Sequence, residues 1–273
     1  MNKKPVINVI LITGFLVLFF GCKSAPEESG AAAPSSGPDA AYHLNRGYEY
    51  FNQYEFDLAI GEFSEALKKD PAMAEAYIAR GNSYSGKLDM EKALDDYVAG
   101  AEIDAGYDFY ARGYSSFRDK DYRSAVEWFS QAIAQKSNLH AACNDRGLAY
   151  ASMGNLNRAI ADYDEAIRMK PNSAFAYNNR GNAYLSKANY KKAIDDYSKA
   201  VDIYPGLVYA YSGRGFANYR AKEYDKAIAD YTKAIAITPY DSSLYASRGD
   251  AYLARGEKAL ADADYAMAGN IKK

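Results

Sequence analysis

Apolar and polar positions keep step along most of this chain. Seven units begin at Ala40, Ala74, Gly106, His140, Ala174, Val208 and Ser242. Alanine stands at position 20 of each: Ala59, Ala93, Ala125, Ala159, Ala193, Ala227 and Ala261. Position 24 is always aromatic: Phe63, Tyr97, Phe129, Tyr163, Tyr197, Tyr231 and Tyr265. Position 27 is alanine in six units and Gly100 in the second. Glycine marks position 8, at Gly47, Gly81, Gly113, Gly147, Gly181, Gly215 and Gly249, with separations of 34, 32, 34, 34, 34 and 34 residues. A fixed period in this range means a repeat array, in which each unit buries its apolar face only against its neighbours.

The pattern predicts two helices and a short turn per unit. Glycine inside a helix costs about 1 kcal/mol relative to alanine. Seven such costs at one site imply that two helices cross closely there, with the glycine facing small residues of the second helix and the aromatics at positions 11 and 24 beside the contact. Proline at position 32 (Pro71, Pro171, Pro205, Pro239) has no amide donor and stops the second helix.

These residues resemble the tetratricopeptide repeat family, whose signature has small residues at 8, 20 and 27, aromatics at 11, 17 and 24, and proline at 32. The resemblance runs from Ala40 to the C-terminus. It implies an all-α, right-handed α-solenoid superhelix of seven helical hairpins, with repeats 40–73, 74–105, 106–139, 140–173, 174–207, 208–241 and 242–273. The second repeat is two residues short and has Ala105 near the place of the proline. The third has Ser116 at position 11 and Ser137 in place of the proline, so an irregular pitch is expected there. The family usually has leucine at position 7, but here arginine stands there throughout: Arg46, Arg80, Arg112, Arg146, Arg180, Arg214 and Arg248. Position 23 is acidic in six repeats (Glu62, Asp96, Asp162, Asp196, Asp230, Asp264) and Trp128 in the third. Arginine's planar fork suits a bidentate carboxylate, so the equal period predicts an arginine–carboxylate ladder. The alternative is a track for an anionic ligand, with the guanidinium groups free.

The amino terminus reads as an address. Met1 to Lys4 is basic, and Val6 to Phe20 is an apolar run too short to span a bilayer comfortably, as in a secretory signal. It ends in Phe19-Phe20-Gly21-Cys22, which resembles the lipobox of bacterial lipoproteins, with Phe19 where leucine is usual. The resemblance implies a signal peptide over 1–21 and a mature first residue, Cys22, that carries lipid. Residues 22–39 are rich in Ala, Ser and Pro and read as a flexible tether, about 20–25 Å between its ends as a random coil. Lys23 follows the cysteine and lacks the aspartate signal of inner-membrane retention. The expected place is therefore the bacterial cell envelope, lipid-anchored, with the outer membrane favoured over the inner.

The chain has 273 residues and a net charge of −2, which becomes −4 once Lys3 and Lys4 leave with the first 21. Such a chain lacks the basic footprint of a nucleic-acid binder, so no nucleic-acid partner is expected. Cys22 and Cys143 are better explained separately than as a disulfide. His43 and His140 are the only histidines, and His43 stands where a packing aromatic is usual. No cysteine–histidine cluster has metal spacing, and the glycines sit singly in helices, not in a phosphate loop. Neither an enzyme nor a cofactor is expected.

In the family, the concave wall comes from the first helix of each hairpin, chiefly positions 2, 5, 6, 9, 12 and 13. Carried over, these positions give candidate partner-binding residues in two aromatic clusters: Tyr107, Tyr110, Tyr114, Phe117 and Arg118, then Tyr209, Phe216, Tyr219 and Arg220. Tyr48, Phe51 and Phe175 lie on the same wall. Between the clusters stand Asn144, Asn178, Asn179 and Asn182, with Asp145. Aromatics and arginine anchor a partner, and amides hydrogen-bond a peptide backbone. The expected function is a membrane-anchored scaffold or adaptor gripping an extended protein segment, in cell-envelope assembly or maintenance. Alternatives are self-association through an uncapped C-terminal repeat, which would otherwise be solvated by Lys272 and Lys273, or a small-ligand or glycan receptor. A chaperone-type carboxylate clamp is absent, because position 5 never carries lysine.

Overall fold

The computed structural model describes residues 39–135 and 139–271, within a unit spanning Pro38–Lys273. Cys22, the apolar run before it, the rest of 1–38, Ser137 and Lys272–Lys273 lie outside the described residues. The fold follows the period. Helices α1 (Ala40–Asn52) and α2 (Phe56–Lys69) form the first hairpin, and α3 (Ala74–Gly86) and α4 (Met90–Ile103) the second. Then come α5 (Asp108–Arg118) with α6 (Tyr122–Ala134), α7 (Leu139–Ser152) with α8 (Leu156–Met169), and α9 (Ala174–Ser186) with α10 (Tyr190–Ile203). Helices α11 (Val208–Arg220) with α12 (Tyr224–Ile237), and α13 (Ser242–Arg255) with α14 (Lys258–Asn270), complete an all-helical α-solenoid.

Local chemistry sets the ends of these helices. Asp39, Asp89, Asp121, Ser173, Asn189 and Asp241 cap helix N-termini by accepting a backbone amide with the side chain. One residue in every intra-hairpin turn is left-handed: Tyr54, Leu88, Lys120, Gly154, Ala188, Lys222 and Gly256. Each proline of position 32 stands two residues beyond a helix end. Where the second repeat lacks it, a 3-10 turn (Ala105–Tyr107) makes the join, with the Asp104 carboxylate accepting the Gly106 amide at 2.8 Å.

The position-8 glycines correct one expectation. Their nearest neighbour is the position-24 ring itself, and Gly81 also meets the backbone of the small residue Ala93 at 3.1 Å. A Cβ on Gly47 would lie 2.5 Å from Phe63 Cδ1, and one on Gly181 2.9 Å from Tyr197 Cε1. Phe63, Tyr97, Phe129 and Tyr197 are fully buried, so these rings have nowhere to retreat.

The ladder is present in five repeats; in the first, Arg46 approaches Glu62 only at 3.3 Å and donates instead to the Tyr42 and Tyr50 hydroxyls. Arg80, Arg146, Arg180, Arg214 and Arg248 each fork onto Asp96, Asp162, Asp196, Asp230 and Asp264 with N–H···O distances of 2.6–3.1 Å. A second rung was not foreseen. The remaining guanidinium nitrogen of each donates back to position 25 of the preceding repeat: Ser64, Ser130, Asp164, Ser198 and Thr232, at 2.6–3.1 Å. One side chain thus ties its own hairpin together and to the one before. With Val98 at position 25 and Trp128 at position 23, Arg112 turns instead to Asp108 and lies over the Trp128 ring.

Curvature follows from which helices touch. Successive first helices meet (α1–α3, α5–α7, α7–α9, α9–α11, α11–α13), whereas second helices do not meet to that extent, so the first helices line the inside of the bend. At the shortened repeat, α3 and α5 do not meet to that extent. The bend brings distant parts together in an aromatic clasp. The Tyr54 ring stacks on Tyr204 at 4.6 Å, and its hydroxyl donates to the Asn172 carbonyl at 2.8 Å and accepts the Ala174 amide at 2.6 Å. Buried Phe56 joins Phe175 and Tyr204, and the Lys170 ammonium lies 4.9 Å above Phe51.

The last hairpin corrects a second expectation. Positions 21 and 28 of the earlier repeats carry Ile, Leu, Val or Ala, several of them packed on the next hairpin, as Ile228 and Ile235 are with Leu244 and Tyr245. In the seventh repeat those positions are Asp262 and Gly269, both exposed. At these two positions the face is polar and small, although Leu260 and Met267 of the same helix stand exposed.

Candidate partner-binding wall

The inner wall, built from α5, α7, α9 and α11, divides into three stretches of different character. The third-repeat cluster is mostly core. Tyr110 and Tyr114 are 1% and 3% exposed and pack edge-on to Tyr97 at 4.9 and 4.8 Å. They cannot serve as open anchors, because the three large rings are buried against one another at the irregular join. Tyr107 is half-buried against the same cluster, and Phe117 packs on Tyr122 at 5.5 Å. Arg118 is exposed and pairs with neighbouring Asp119. Tyr48 packs on Phe63, while Phe51 and Phe175 belong to the clasp.

The middle stretch is a hydrogen-bonded line of side chains. Tyr110 Oη donates to Asp145 Oδ2 at 2.7 Å, and Asn144 Nδ2 donates to Asp145 Oδ1 at 3.0 Å. Asn179 Nδ2 donates to Asn144 Oδ1 at 3.0 Å, and Asn178 Nδ2 to Asn179 Oδ1 at 3.4 Å. The line ends at Asn178 Oδ1, which is buried and has no hydrogen-bond partner. Asn182, one turn along α9, is exposed and accepts the Tyr197 hydroxyl at 2.6 Å. Burial pushes the Asp145 carboxyl up to about 6, against the pull of its two hydrogen bonds.

The sixth-repeat stretch is open. Tyr209 and Phe216 are 59% and 41% exposed. The Arg220 guanidinium lies 5.3 Å from the Tyr190 ring and 5.7 Å from Phe216, a stacked edge between two rings. Tyr219 is half-buried and leans on Tyr224 at 5.8 Å. The candidates therefore do not form one continuous groove of rings. One cluster is packed, one is polar and one is free.

Other chemistry is modest. His43 Nδ1 meets Glu62 Oε2 at 2.7 Å, burial pushes His140 down to about 4, and burial pushes the Cys143 thiol up to about 11. Among the described residues no three His, Cys, Asp or Glu side chains converge as a metal site, and no helix is long and apolar enough to cross a membrane. The clasp residues Tyr54 and Tyr204 were missed by sequence reasoning. The available signal was an aromatic at a left-handed turn position that other repeats fill with Gly, Ala, Lys or Leu.

Four family models for the TPR, or tetratricopeptide, repeat match at residues 44–108, 147–188, 174–207 and 208–241, together more than half of the chain. The chain belongs to the tetratricopeptide repeat family. Solved structures agree on the fold. A crystal structure of MamA protein is 25% identical, with a TM-score of 0.55 over 60% of this chain and 89% of that one. Another MamA structure is 26% identical, at 0.54 over 57% and 91%. The Cut9-Hcn1 structure is 15% identical, at 0.66 over 83% of this chain and 45% of that one, a likeness of fold alone. Tetratricopeptide repeats are generally non-catalytic scaffolds, and the fold implies protein–protein interaction for this chain at that general level.

Proposed function

We propose that this tetratricopeptide protein is an adaptor that holds an extended segment of a partner protein along its inner wall. The observation that carries the reading is the open stretch on α11. Tyr209 and Phe216 stay exposed beside Arg220 on a wall where other rings are packed, and aromatic and arginine side chains are the commonest energetic anchors of interfaces. The amides of α7 and α9 suit the backbone of such a segment. The end face at Asp262 and Gly269 supports an adaptor over head-to-tail self-association, because these two positions lack the apolar side chains by which one repeat holds the next.

The lipobox-like Phe19-Phe20-Gly21-Cys22 supports a reading in which lipid on Cys22 anchors the adaptor, and Lys23 after it favours the outer membrane of a bacterial envelope, with a role in envelope assembly or maintenance. Two experiments test this. Affinity capture from membranes is run with wild type beside Tyr209→Ala/Phe216→Ala. Partners lost only with the variant support the wall reading, and an unchanged set with intact helicity sinks it. Intact-mass analysis then checks the anchor: an acylated chain starting at Cys22, absent in Cys22→Ser, is expected, and an unacylated mature chain removes it.

A further inference from the structure

Asp145 stands apart from the buried carboxylates of the array. Asp96, Asp162, Asp196, Asp230 and Asp264 each receive a forked arginine. Asp145 receives two neutral donors, Tyr110 Oη and Asn144 Nδ2, and no cation. The titratable groups around it are the hydroxyls of Tyr97, Tyr110, Tyr114 and Tyr163, each pushed upward by burial and by this carboxylate, so all are neutral at physiological pH. Packing does not force an acid here. At the same position of the next repeat the wall carries an amide, Asn179, in the same hydrogen-bonded line. The line also ends in an unmet acceptor, Asn178 Oδ1, on a residue only 7% exposed. A half-buried carboxylate and an orphaned carbonyl, joined by amides and walled by tyrosine, make a site rich in acceptors and lacking a positive donor.

We infer that Asp145, with Asn144, Asn178 and Asn179, is the recognition site for a basic side chain, lysine or arginine, carried by the partner's extended segment. This rests on the wall reading above and narrows it to a class of sequence. The ammonium or guanidinium supplies the charge that Asp145 lacks and donors for the remaining oxygens. The unpaired acid costs stability in the free protein, which is the expected state of a site whose partner comes from outside.

The test uses the mature chain and capped ten-residue alanine–serine peptides with one central lysine, arginine or norleucine. Binding is measured by calorimetry and by side-chain amide NMR. The lysine or arginine peptide is expected to bind about tenfold more tightly than the norleucine peptide near neutral pH, a 1.4 kcal/mol difference. That preference is expected to shrink as the pH falls below the Asp145 value of about 6. Asp145→Asn keeps an acceptor for Tyr110 and is expected to erase the preference while melting no lower than wild type. Equal binding of charged and neutral peptides, or a preference that survives Asp145→Asn, overturns the inference. If Phe216→Ala still weakens every peptide in that case, the wall reading stands without it. If no peptide binds wild type, the two fall together.

Discussion

Two glycines of the first hairpin offer a controlled comparison. Gly61 lies mid-helix in α2 with nothing within 4 Å of a built Cβ, whereas a Cβ on Gly47 in α1 would meet the fully buried Phe63 ring at 2.5 Å. Alanine at 61 should gain the helix-propensity difference, about 1 kcal/mol. Alanine at 47 gains the same amount but must displace the ring by roughly an ångström, an overpacking cost of about 1–3 kcal/mol or more. The net effects should therefore differ in sign within one repeat, and the gap should be on the order of 2 kcal/mol. Gly215 falls between them, since its Cβ would stand 3.1 Å from Tyr231 Cε1 and the ring need give only a few tenths. Urea titration followed by far-ultraviolet circular dichroism reads the order of midpoints: Gly61→Ala highest, then wild type and Gly215→Ala, then Gly47→Ala. Phe63→Leu in the Gly47→Ala background should recover part of the loss. Equal midpoints for Gly47→Ala and Gly61→Ala would refute the claim that the hydrogen at position 8 makes room for the ring.

Four further outcomes follow from the geometry. Lys222→Gly relieves a left-handed residue and should raise stability by about 1 kcal/mol, whereas Tyr54→Gly, at the same turn position, should lower it, because two hydrogen bonds and a stacked pair go with the side chain. The same Tyr54 variant should open the clasp, seen in X-ray scattering as a larger radius of gyration. Arg180→Ala strands buried Asp196 and should cost about 3 kcal/mol, while Arg112→Ala, whose pair is part-exposed and one turn apart, should cost well under 1 kcal/mol; thermal melts compare them. His140 stays neutral in the folded state down to about 4 while the unfolded chain takes its proton near 6.5, so its share of stability is complete above about 6.5 and lost as pH falls toward 4. Asp145, pushed up to about 6, has the opposite slope between about 4 and 6, and urea midpoints of His140→Gln and Asp145→Asn across that range separate the two.

The hairpins were legible because their signals are local and repeated: glycine, alanine and ring at fixed offsets specify each crossing. The ladder was legible because arginine and acid share one period. Its second rung was equally available, since Ser64, Ser130, Asp164, Ser198 and Thr232 occupy position 25 ahead of each forked arginine, and Val98 stands ahead of Arg112 alone. The wall was legible only as a set of positions. Whether a ring there is open or packed depends on how neighbouring hairpins meet, and at the shortened repeat the join turned Tyr110 and Tyr114 inward. The clasp could not be read from a period at all. It joins residues 118 positions apart, and such a contact exists only once small rotations have accumulated over four hairpins.

That clasp bears on how a partner could use the wall. It ties the turn of the first hairpin to the loops that enter the fifth and sixth, so the first helices of repeats one to five lie along an arc closed at one edge. Asp145 and its amides sit within that arc, on α7 and α9. Tyr209, Phe216 and Arg220 sit on α11, beyond it, and are the open anchors. Under the proposed reading, a segment docks first on the exposed rings and then carries its basic side chain inward toward Asp145. The order is physical: apolar and cation–π contacts are available on the free surface, whereas the acid is reached only along the wall. A partner that fits should therefore place its aromatic-binding residues and its lysine or arginine two repeats apart, and peptides with that spacing should outbind those with the two elements adjacent.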